Sequence, residues 1–358
     1  MATVRAPSLV WPDHLISQPA MAEAIAAEHH GLPHLDRGLQ VLDNTEVRSR
    51  YMLRPLRETL SDTGFGARNQ LYASQVVQLG AHAGKQALAD AALDPADVDA
   101  LVVVSCTGYM LPGPDAHIAG ALGLDPTTRR LPIQQLGCAA GASALAQAHD
   151  YLRAHPTRHP GDQPTNVLVI AVELCSLCYQ PSKTSISDFI SLGLFGDGAG
   201  AAVVSADDRA AGVRLLANAQ HLVPASTEVI AGTTSELGFH FATHPRVRTT
   251  VPKVIPAVEG FLSQHGCRPG ELEFVICHTG GPAVLRAVQQ GLGLAPELLE
   301  LSWQSLRRVG NVSSVVVLDV LRRTFDQRRP RDGALGLLLA FGPGFTTEML
   351  LGTWQDAG

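Results

Sequence analysis

Three residues whose types act together in thiol chemistry stand at the ends of predicted elements: Cys138, His278 and Asn311. Cys138 follows a glycine at the start of a predicted helix, where backbone N–H groups and the helix dipole are expected to lower the pKa of the thiol. A thiol is a nucleophile, an imidazole accepts its proton, and an amide orients the imidazole or donates a hydrogen bond. The three types therefore predict either thiol-dependent hydrolysis of the papain kind or condensation on a thioester, with His278 and Asn311 stabilising an enolate.

Each of the three residues also has a structural interpretation when it is taken alone. Free cysteine is commonly buried, histidine can be a satisfied core residue, and asparagine at a helix start is a good N-cap. An internal repeat favours the functional interpretation. Cys106 precedes Cys138 by 32 residues, and His278 precedes Asn311 by 33. The matching stretches are 101–108, 120–126, 136–145 and Phe195-Gly-Asp-Gly in the first copy, and 274–280, 291–296, 309–318 and Phe341-Gly-Pro-Gly in the second.

The elements that position these residues alternate between short apolar runs and amphipathic or apolar helices. This alternation predicts an α/β fold with covered sheets. The helices after Cys138 and Asn311 are apolar nearly all round, which predicts two buried helices in a duplicated α-β-α-β-α five-layer fold. The predicted halves are 1–206, with the nucleophilic Cys, and 207–358, with His and Asn. The predicted strands are 99–105, 167–172, 199–205, 273–277 and 334–341, and the predicted helices are 22–39, 75–92, 115–122, 138–153, 251–265, 282–291 and 311–323.

Composition excludes several classes of function. The chain has 358 residues, 46% of them hydrophobic, and a formal net charge of −6, with no long basic run, so a nucleic-acid partner is not expected. No apolar run approaches the roughly 18 residues of a membrane span, and the first residues do not form a signal peptide. Six cysteines in apolar contexts are typical of reduced thiols in a cytoplasmic protein, and the single Cys175-x-x-Cys178 pair does not predict a metal site.

Five motifs in order give the chain a resemblance to a known family. Together they resemble the type III polyketide synthases, the chalcone-synthase-like branch of the thiolase fold. The stretches 104–108 and 172–181 are similar to the bacterial tetrahydroxynaphthalene synthase subgroup. The five motifs are Leu136-Gly-Cys-Ala-Ala-Gly, Phe195-Gly-Asp-Gly-Ala, His278-Thr-Gly-Gly-Pro, Gly310-Asn-Val-Ser-Ser and Phe341-Gly-Pro-Gly.

This resemblance implies a role for each matching residue. Cys138 would carry the acyl chain, and His278 and Asn311 would bind the malonyl thioester carbonyl during decarboxylation. Phe195 would be the gate between the coenzyme A tunnel and the cavity, and Leu111 would reach across a homodimer. The resemblance implies malonyl-CoA and an acyl-CoA starter as substrates and no cofactor. It places Phe239, Cys106, Thr107, Cys178, Ser313 and Pro343 at the substrate, and Arg48, Arg50 and Arg54 in the region that contacts coenzyme A phosphates.

One position departs from the subgroup. His221 stands where a tyrosine, which is linked to accepting a malonyl starter, usually precedes the Leu-x-Pro that is here Leu222-Val-Pro224. The departure makes His221 a candidate substrate-binding residue and favours another starter, such as a fatty acyl-CoA that gives a pyrone or resorcinol. A single-round β-ketoacyl synthase, a catalytically silent dimerisation partner and a papain-like hydrolase remain as alternatives.

Overall fold

The computed structural model of the chain describes residues 2–61, 63–157, 163–244 and 246–356, and the backbone alone of Ala242. Strands recur along the whole of this part of the chain. They are β1 (Ala2–Val4), β2 (Ser8–Val10), β3 (His14–Ser17), β4 (Ser49–Met52), β5 (Ala100–Val104), β6 (Arg129–Ile133), β7 (Asn166–Leu174), β8 (Asp197–Ser205), β9 (Gly212–Leu222), β10 (Ile230–Ser235), β11 (Gly238–Thr243), β12 (Phe274–Cys277), β13 (Leu335–Gly342) and β14 (Thr346–Gln355).

Helices cover the sheet on both faces. None of the helices that the structure describes is long and apolar enough to cross a membrane. The α-helices are α1 (Gln18–Glu28), α2 (Leu35–Asp43), α3 (Leu56–Leu60), α4 (Gly64–Asp90), α5 (Pro114–Leu122), α6 (Ala140–Ala154), α7 (Ile186–Leu194), α8 (Val247–Gln264), α9 (Pro282–Gly291), α10 (Glu300–Val309) and α11 (Val316–Arg323).

A ten-stranded sheet joins the two halves in the order β12-β13-β14-β9-β1-β8-β7-β5-β6, with β2 also pairing with β8. The two halves repeat one pairing scheme. In the first, β5 and β7 are parallel and β7 and β8 antiparallel; in the second, β12 and β13 are parallel and β13 and β14 antiparallel. The two halves therefore share one strand topology, as the sequence repeat predicts.

The predicted boundary between the halves falls in the loop between β8 and β9. The short strand β1 crosses this boundary, because it pairs with β8 on one side and with β9 on the other. The sheet is thus continuous from one half to the other, and the division at residue 206 stays a prediction about the origin of the two halves.

Helices α6 and α11 form the middle layer. Both are buried along most of their length, and they share one hydrophobic core with strands of both halves. A second core packs α4 and α5 on the first half of the sheet, and a third packs α8, α9 and α10 on the second half. The part of the sheet from each half therefore forms its own layer, with α6 and α11 between the two layers and the other helices outside them. The order helix, sheet, helix, sheet, helix confirms the predicted five-layer fold of thiolase type.

The prediction of one helix over 22–39 is wrong. The structure has two helices there, α1 and α2, and the chain between them contains Gly31 in a left-handed conformation (φ 86°) and Pro33. Helix α4 begins at Gly64 and not near residue 75. Cys138 lies in a 3-10 turn, Gly137–Ala139, that leads into α6. The hairpin β10–β11, which carries part of the site, was not predicted.

Candidate active site

The two halves bring Cys138, His278 and Asn311 together in a buried cluster. The Asn311 amide lies between the other two side chains: its Nδ2 is 3.7 Å from Cys138 Sγ, and its Oδ1 is 3.3 Å from His278 Nε2. Backbone N–H of Ser313 also donates to Asn311 Oδ1, at 2.9 Å. Asn311 is therefore held as a bridge between the thiol and the imidazole, and this is more than an N-cap would require.

Backbone contacts hold this cluster in register. Asn311 N donates to Leu194 O at 2.8 Å, and Gly196 N donates to Asn311 O at 3.1 Å. These two bonds fix Phe195, at the end of α7, beside Asn311. Gly310 makes the approach possible, because it has φ 73° and because a Cβ there would lie 2.4 Å from Leu194 O. A side chain at position 310 would push the two segments apart.

Burial opposes charge on both titratable groups of the cluster. Burial raises the pKa of the Cys138 thiol to about 11, although hydrogen bonds from Ser313 and Asn311 act in the other direction. Burial also lowers the pKa of His278 to about 4. The expected lowering of the thiol pKa by the helix N-terminus is therefore outweighed. At neutral pH the closed site holds a thiol and a neutral imidazole, so His278 is available to accept a proton.

A cavity opens at Cys138, and the space between its lining atoms, including its mouth, is about 510 Å³. Six of the predicted substrate residues line it together with the nucleophile. Phe195 and Phe241 form part of its wall, with their ring centroids 4.8 Å apart in a T-shaped arrangement. The predicted residues that line the cavity are Cys106, Thr107, Phe195, Phe239, Ser313 and Pro343.

Three other predicted residues do not line this cavity. Cys178 lies in an adjoining chamber. Leu111 is 98% exposed in the loop before α5. His221 lies on β9 opposite Thr347 of β14. His221, expected at the substrate, is not among the lining residues of this cavity. Leu111 was expected to reach the cavity of a second copy, and that expectation stays a prediction.

Sequence reasoning did not name several lining residues, among them Phe241, and it did not name one buried acid. Cys175 and Phe241 line the cavity, and Phe241 stands two residues after Phe239 on the same strand, where the period of a strand places both on one face. Glu173 has no exposed surface; it accepts hydrogen bonds from Ser314 Oγ at 2.6 Å and from Thr107 Oγ1 at 3.2 Å. Burial raises the pKa of Glu173, and its hydroxyl partners oppose this.

The three predicted arginines occupy different environments. Arg50 has no exposed surface, and its guanidinium donates to Gln18 Oε1 and Leu192 O. That burial corrects the expectation that Arg50 contacts a coenzyme A phosphate. Arg54 is half-buried, and the nearby Glu58 and Asp197 carboxyls counteract the lowering of its pKa by burial. Arg48 alone of the three is exposed.

A wide groove lies beside the cluster. It is lined by Gly280 and Gly281, which directly follow the His278 segment, by Leu194, which precedes Phe195, and by two arginines, Arg248 and Arg286. The space between its lining atoms, including its open side, is about 2160 Å³. Arg286 forms an ion pair with Glu46, and Arg248 is exposed. Among the described residues, no group of three or more His, Cys, Asp or Glu side chains could hold a metal ion.

Comparison with known proteins covers nearly the whole chain. Residues 2–208 match the N-terminal domain of the chalcone and stilbene synthases, and residues 214–353 match their C-terminal domain. A 1,3,6,8-tetrahydroxynaphthalene synthase of Streptomyces coelicolor is 40% identical over 357 residues, which is 100% of this chain and 93% of that protein. A phloroglucinol synthase of Pseudomonas fluorescens is 37% identical over 357 residues, which is 99% of each chain.

Two solved structures that resemble this chain belong to the same family of enzymes. The crystal structure of the tetrahydroxynaphthalene synthase from Streptomyces coelicolor, a bacterial type III polyketide synthase, superimposes with a TM-score of 0.94 at 39% identity, covering 99% of this chain and 100% of that one. A germicidin synthase from Streptomyces coelicolor, also a type III polyketide synthase, superimposes with a TM-score of 0.88 at 27% identity, covering 99% of each chain.

Proposed function

The chain belongs to the chalcone and stilbene synthase family and is a type III polyketide synthase, and from this premise we propose that it extends an acyl-CoA starter on Cys138 by repeated condensation with malonyl-CoA and then closes the chain to a phenolic or pyrone ring. The observation that carries the proposal is the cluster of Cys138, Asn311 and His278, whose thiol lines a walled cavity.

The first chemical step proposed is transfer of the starter. Cys138 Sγ attacks the thioester carbonyl, and the thiol proton passes to the imidazole of His278. The tetrahedral intermediate collapses with loss of the coenzyme A thiolate, which takes that proton and leaves as the free thiol. The acyl group is then held on Cys138, and His278 is again neutral, as its lowered pKa requires.

The second step proposed is decarboxylation of malonyl-CoA. The N–H of His278 and the Nδ2 amide of Asn311 donate to the thioester carbonyl, where negative charge develops as carbon dioxide leaves. The enolate carbon attacks the acyl carbonyl on Cys138, the new carbon–carbon bond forms, and the Cys138 thiolate is released. The product is a coenzyme A thioester two carbons longer, and a further round requires its return to Cys138.

The experiment that tests this function is incubation with malonyl-CoA and a panel of acyl-CoA starters. We expect release of carbon dioxide and products extended by several units, read by mass spectrometry. Cys138→Ala is expected to lower product formation by at least about 10³-fold, because no acyl-enzyme can form. Products that are only one unit longer would indicate a single-round enzyme. Equal product formation by Cys138→Ala would overturn the proposal.

We propose the groove of Arg248 and Arg286 as the binding site of coenzyme A, because it is lined by Gly280 and Gly281, which directly follow the His278 segment, and by Leu194, whose backbone oxygen accepts from Asn311 N. An exposed guanidinium attracts phosphate by charge-assisted hydrogen bonds. Arg248→Glu is expected to raise the KM for malonyl-CoA about 10-fold with a smaller effect on kcat. Arg209→Glu, the same charge change on the β8–β9 loop, is the matched control. Steady-state kinetics of both variants decide the matter, and equal KM values would remove Arg248 from the site.

We propose that the protein acts as a homodimer. Leu111 is 98% exposed, and a leucine in that position costs free energy in water unless another surface covers it. The edge strand β6 is also largely exposed and has β5 as a partner on one side only. A second copy of the chain would cover both.

The starter is proposed to depend on the residues that wall the cavity. His221 is not among the residues that line the Cys138 cavity, and it pairs with Thr347 of β14. A fatty acyl starter stays a proposal, to be decided by the same panel of acyl-CoA substrates.

A further inference from the structure

A second chamber adjoins the Cys138 cavity. The two spaces share three lining residues: Cys175, Phe195 and Phe241. The rings of Phe195 and Phe241 meet edge to face, so the pair forms part of a common wall. The space between the lining atoms of the second chamber, including its mouth, is about 480 Å³.

Gln180 lines this second chamber and marks it as a binding site. The residue is only 2% exposed, yet neither its amide oxygen nor its amide nitrogen has a hydrogen-bond partner among the described residues. A buried amide without a partner is costly, and most such groups in native proteins are paired. The backbone of Gln180 is fixed, because Lys183 N donates to its carbonyl oxygen at 2.9 Å. The unpaired amide is therefore available to a polar atom of a bound molecule.

The lining of the chamber combines polar groups, which include Lys183 and the ion-paired Asp188 and His240, with a part that suits an acyl chain. Met52 and Leu192 supply apolar surface, and Cys175 and Cys178 supply soft thiols. Burial raises the pKa of both thiols, so they are uncharged at neutral pH. Cys138 differs from both, because Asn311 lies beside its sulfur and links it to His278, whereas the Cys178 thiol donates to Thr107 O at 3.6 Å. The chamber can hold a chain without reacting with it.

We propose that this chamber receives the far end of the acyl chain held on Cys138, after Phe195 and Phe241 part, and that Gln180 selects chains with a carbonyl or hydroxyl oxygen at that end. The inference rests on the proposed function, because it needs an acyl group on Cys138. A short acyl group stays in the first cavity. A longer chain crosses the aromatic wall, and its oxygen meets the Gln180 amide.

The test compares decanoyl-CoA with ω-hydroxydecanoyl-CoA, and measures the rate of acylation of Cys138 by intact-protein mass spectrometry. The wild type is expected to prefer the hydroxylated chain by about 5- to 10-fold. Gln180→Leu is expected to lose this preference. It should fold at least as stably as the wild type, because it removes an unpaired buried amide. Gln86→Leu, at an exposed position of α4, is the control that should keep the preference.

A second variant tests, independently of Gln180, whether the chamber receives the end of the acyl chain. Ser191→Phe introduces a ring into the lining, and the ratio of decanoyl to acetyl acylation rates is expected to fall about 10-fold. Retention of the preference in Gln180→Leu, or an unchanged ratio in Ser191→Phe, overturns the inference while the proposed function stands. Failure of wild-type Cys138 to accept any acyl group overturns the proposed function, and this inference with it.

Discussion

His278→Ala is expected to lower the rate of malonyl-CoA decarboxylation by about 10²- to 10³-fold, the usual cost of removing one donor from a site that stabilises an oxyanion. The imidazole Nε2 lies 3.3 Å from Asn311 Oδ1, so the two side chains form one polar unit within a buried site. Water that enters after the substitution cannot replace a donor held in place. Carbon dioxide release from malonyl-CoA measures the effect.

The controls separate this donor role from general damage to the fold. His278→Gln keeps an N–H donor of similar reach, and we expect it to retain more decarboxylation than His278→Ala. Asn311→Ala should cause a loss of similar size, and the double variant should lose less than the product of the two, because the residues act as a unit. Equal decarboxylation by His278→Ala and the wild type would contradict the role given to His278.

The protonation states of Cys138 and His278 lead to a second expected effect of His278→Ala. Burial lowers the pKa of His278 to about 4, so the imidazole is neutral, and able to accept a proton, above about pH 4. Burial raises the pKa of Cys138 to about 11, so the thiol needs an acceptor at neutral pH. Labelling of Cys138 by iodoacetamide at pH 7 is therefore expected to be slower in His278→Ala than in the wild type. Identical rates would show that His278 does not take the thiol proton.

Gly141→Ala is expected to destabilise the protein by about 3 kcal/mol and to abolish most activity. A Cβ at position 141 would lie 2.0 Å from Ser314 O, which is backbone and cannot rotate away. Helix α6 would have to move off the turn that follows Asn311. Since Cys138 leads into α6 and Asn311 leads into that turn, the same shift would separate the nucleophile from the amide.

The matched control is Gly120→Ala in helix α5, where nothing lies within 4 Å of an added Cβ. Alanine is a better helix former than glycine, so we expect this variant to be as stable as the wild type or slightly more so. Urea unfolding, followed by circular dichroism, and product formation measure both variants. A fully stable and active Gly141→Ala would show that the two central helices do not need their close contact.

The repeat explains why the reacting residues could be predicted from sequence. Cys138 and Asn311 precede corresponding helices, and His278 follows β12, the counterpart of β5. Because a duplicated topology brings corresponding ends together, spacing along the chain was enough to place the three side chains in one cluster. The strands and central helices were predictable for a similar reason, since apolar runs buried on both sides carry a strong local signal.

What the sequence alone determined is thus the layered fold, the reacting residues and the family, because each follows from a pattern written along the chain. Only the tertiary structure decided that Arg50 is buried, that His221 is not among the lining residues of the cavity, and that Cys175, Phe195 and Phe241 line both this cavity and the chamber of Gln180. These facts depend on how α7, the β10–β11 hairpin and the turn at Cys175 pack together. Those segments are distant in sequence and have no periodic pattern that links them, so their contacts arise only when the chain is folded.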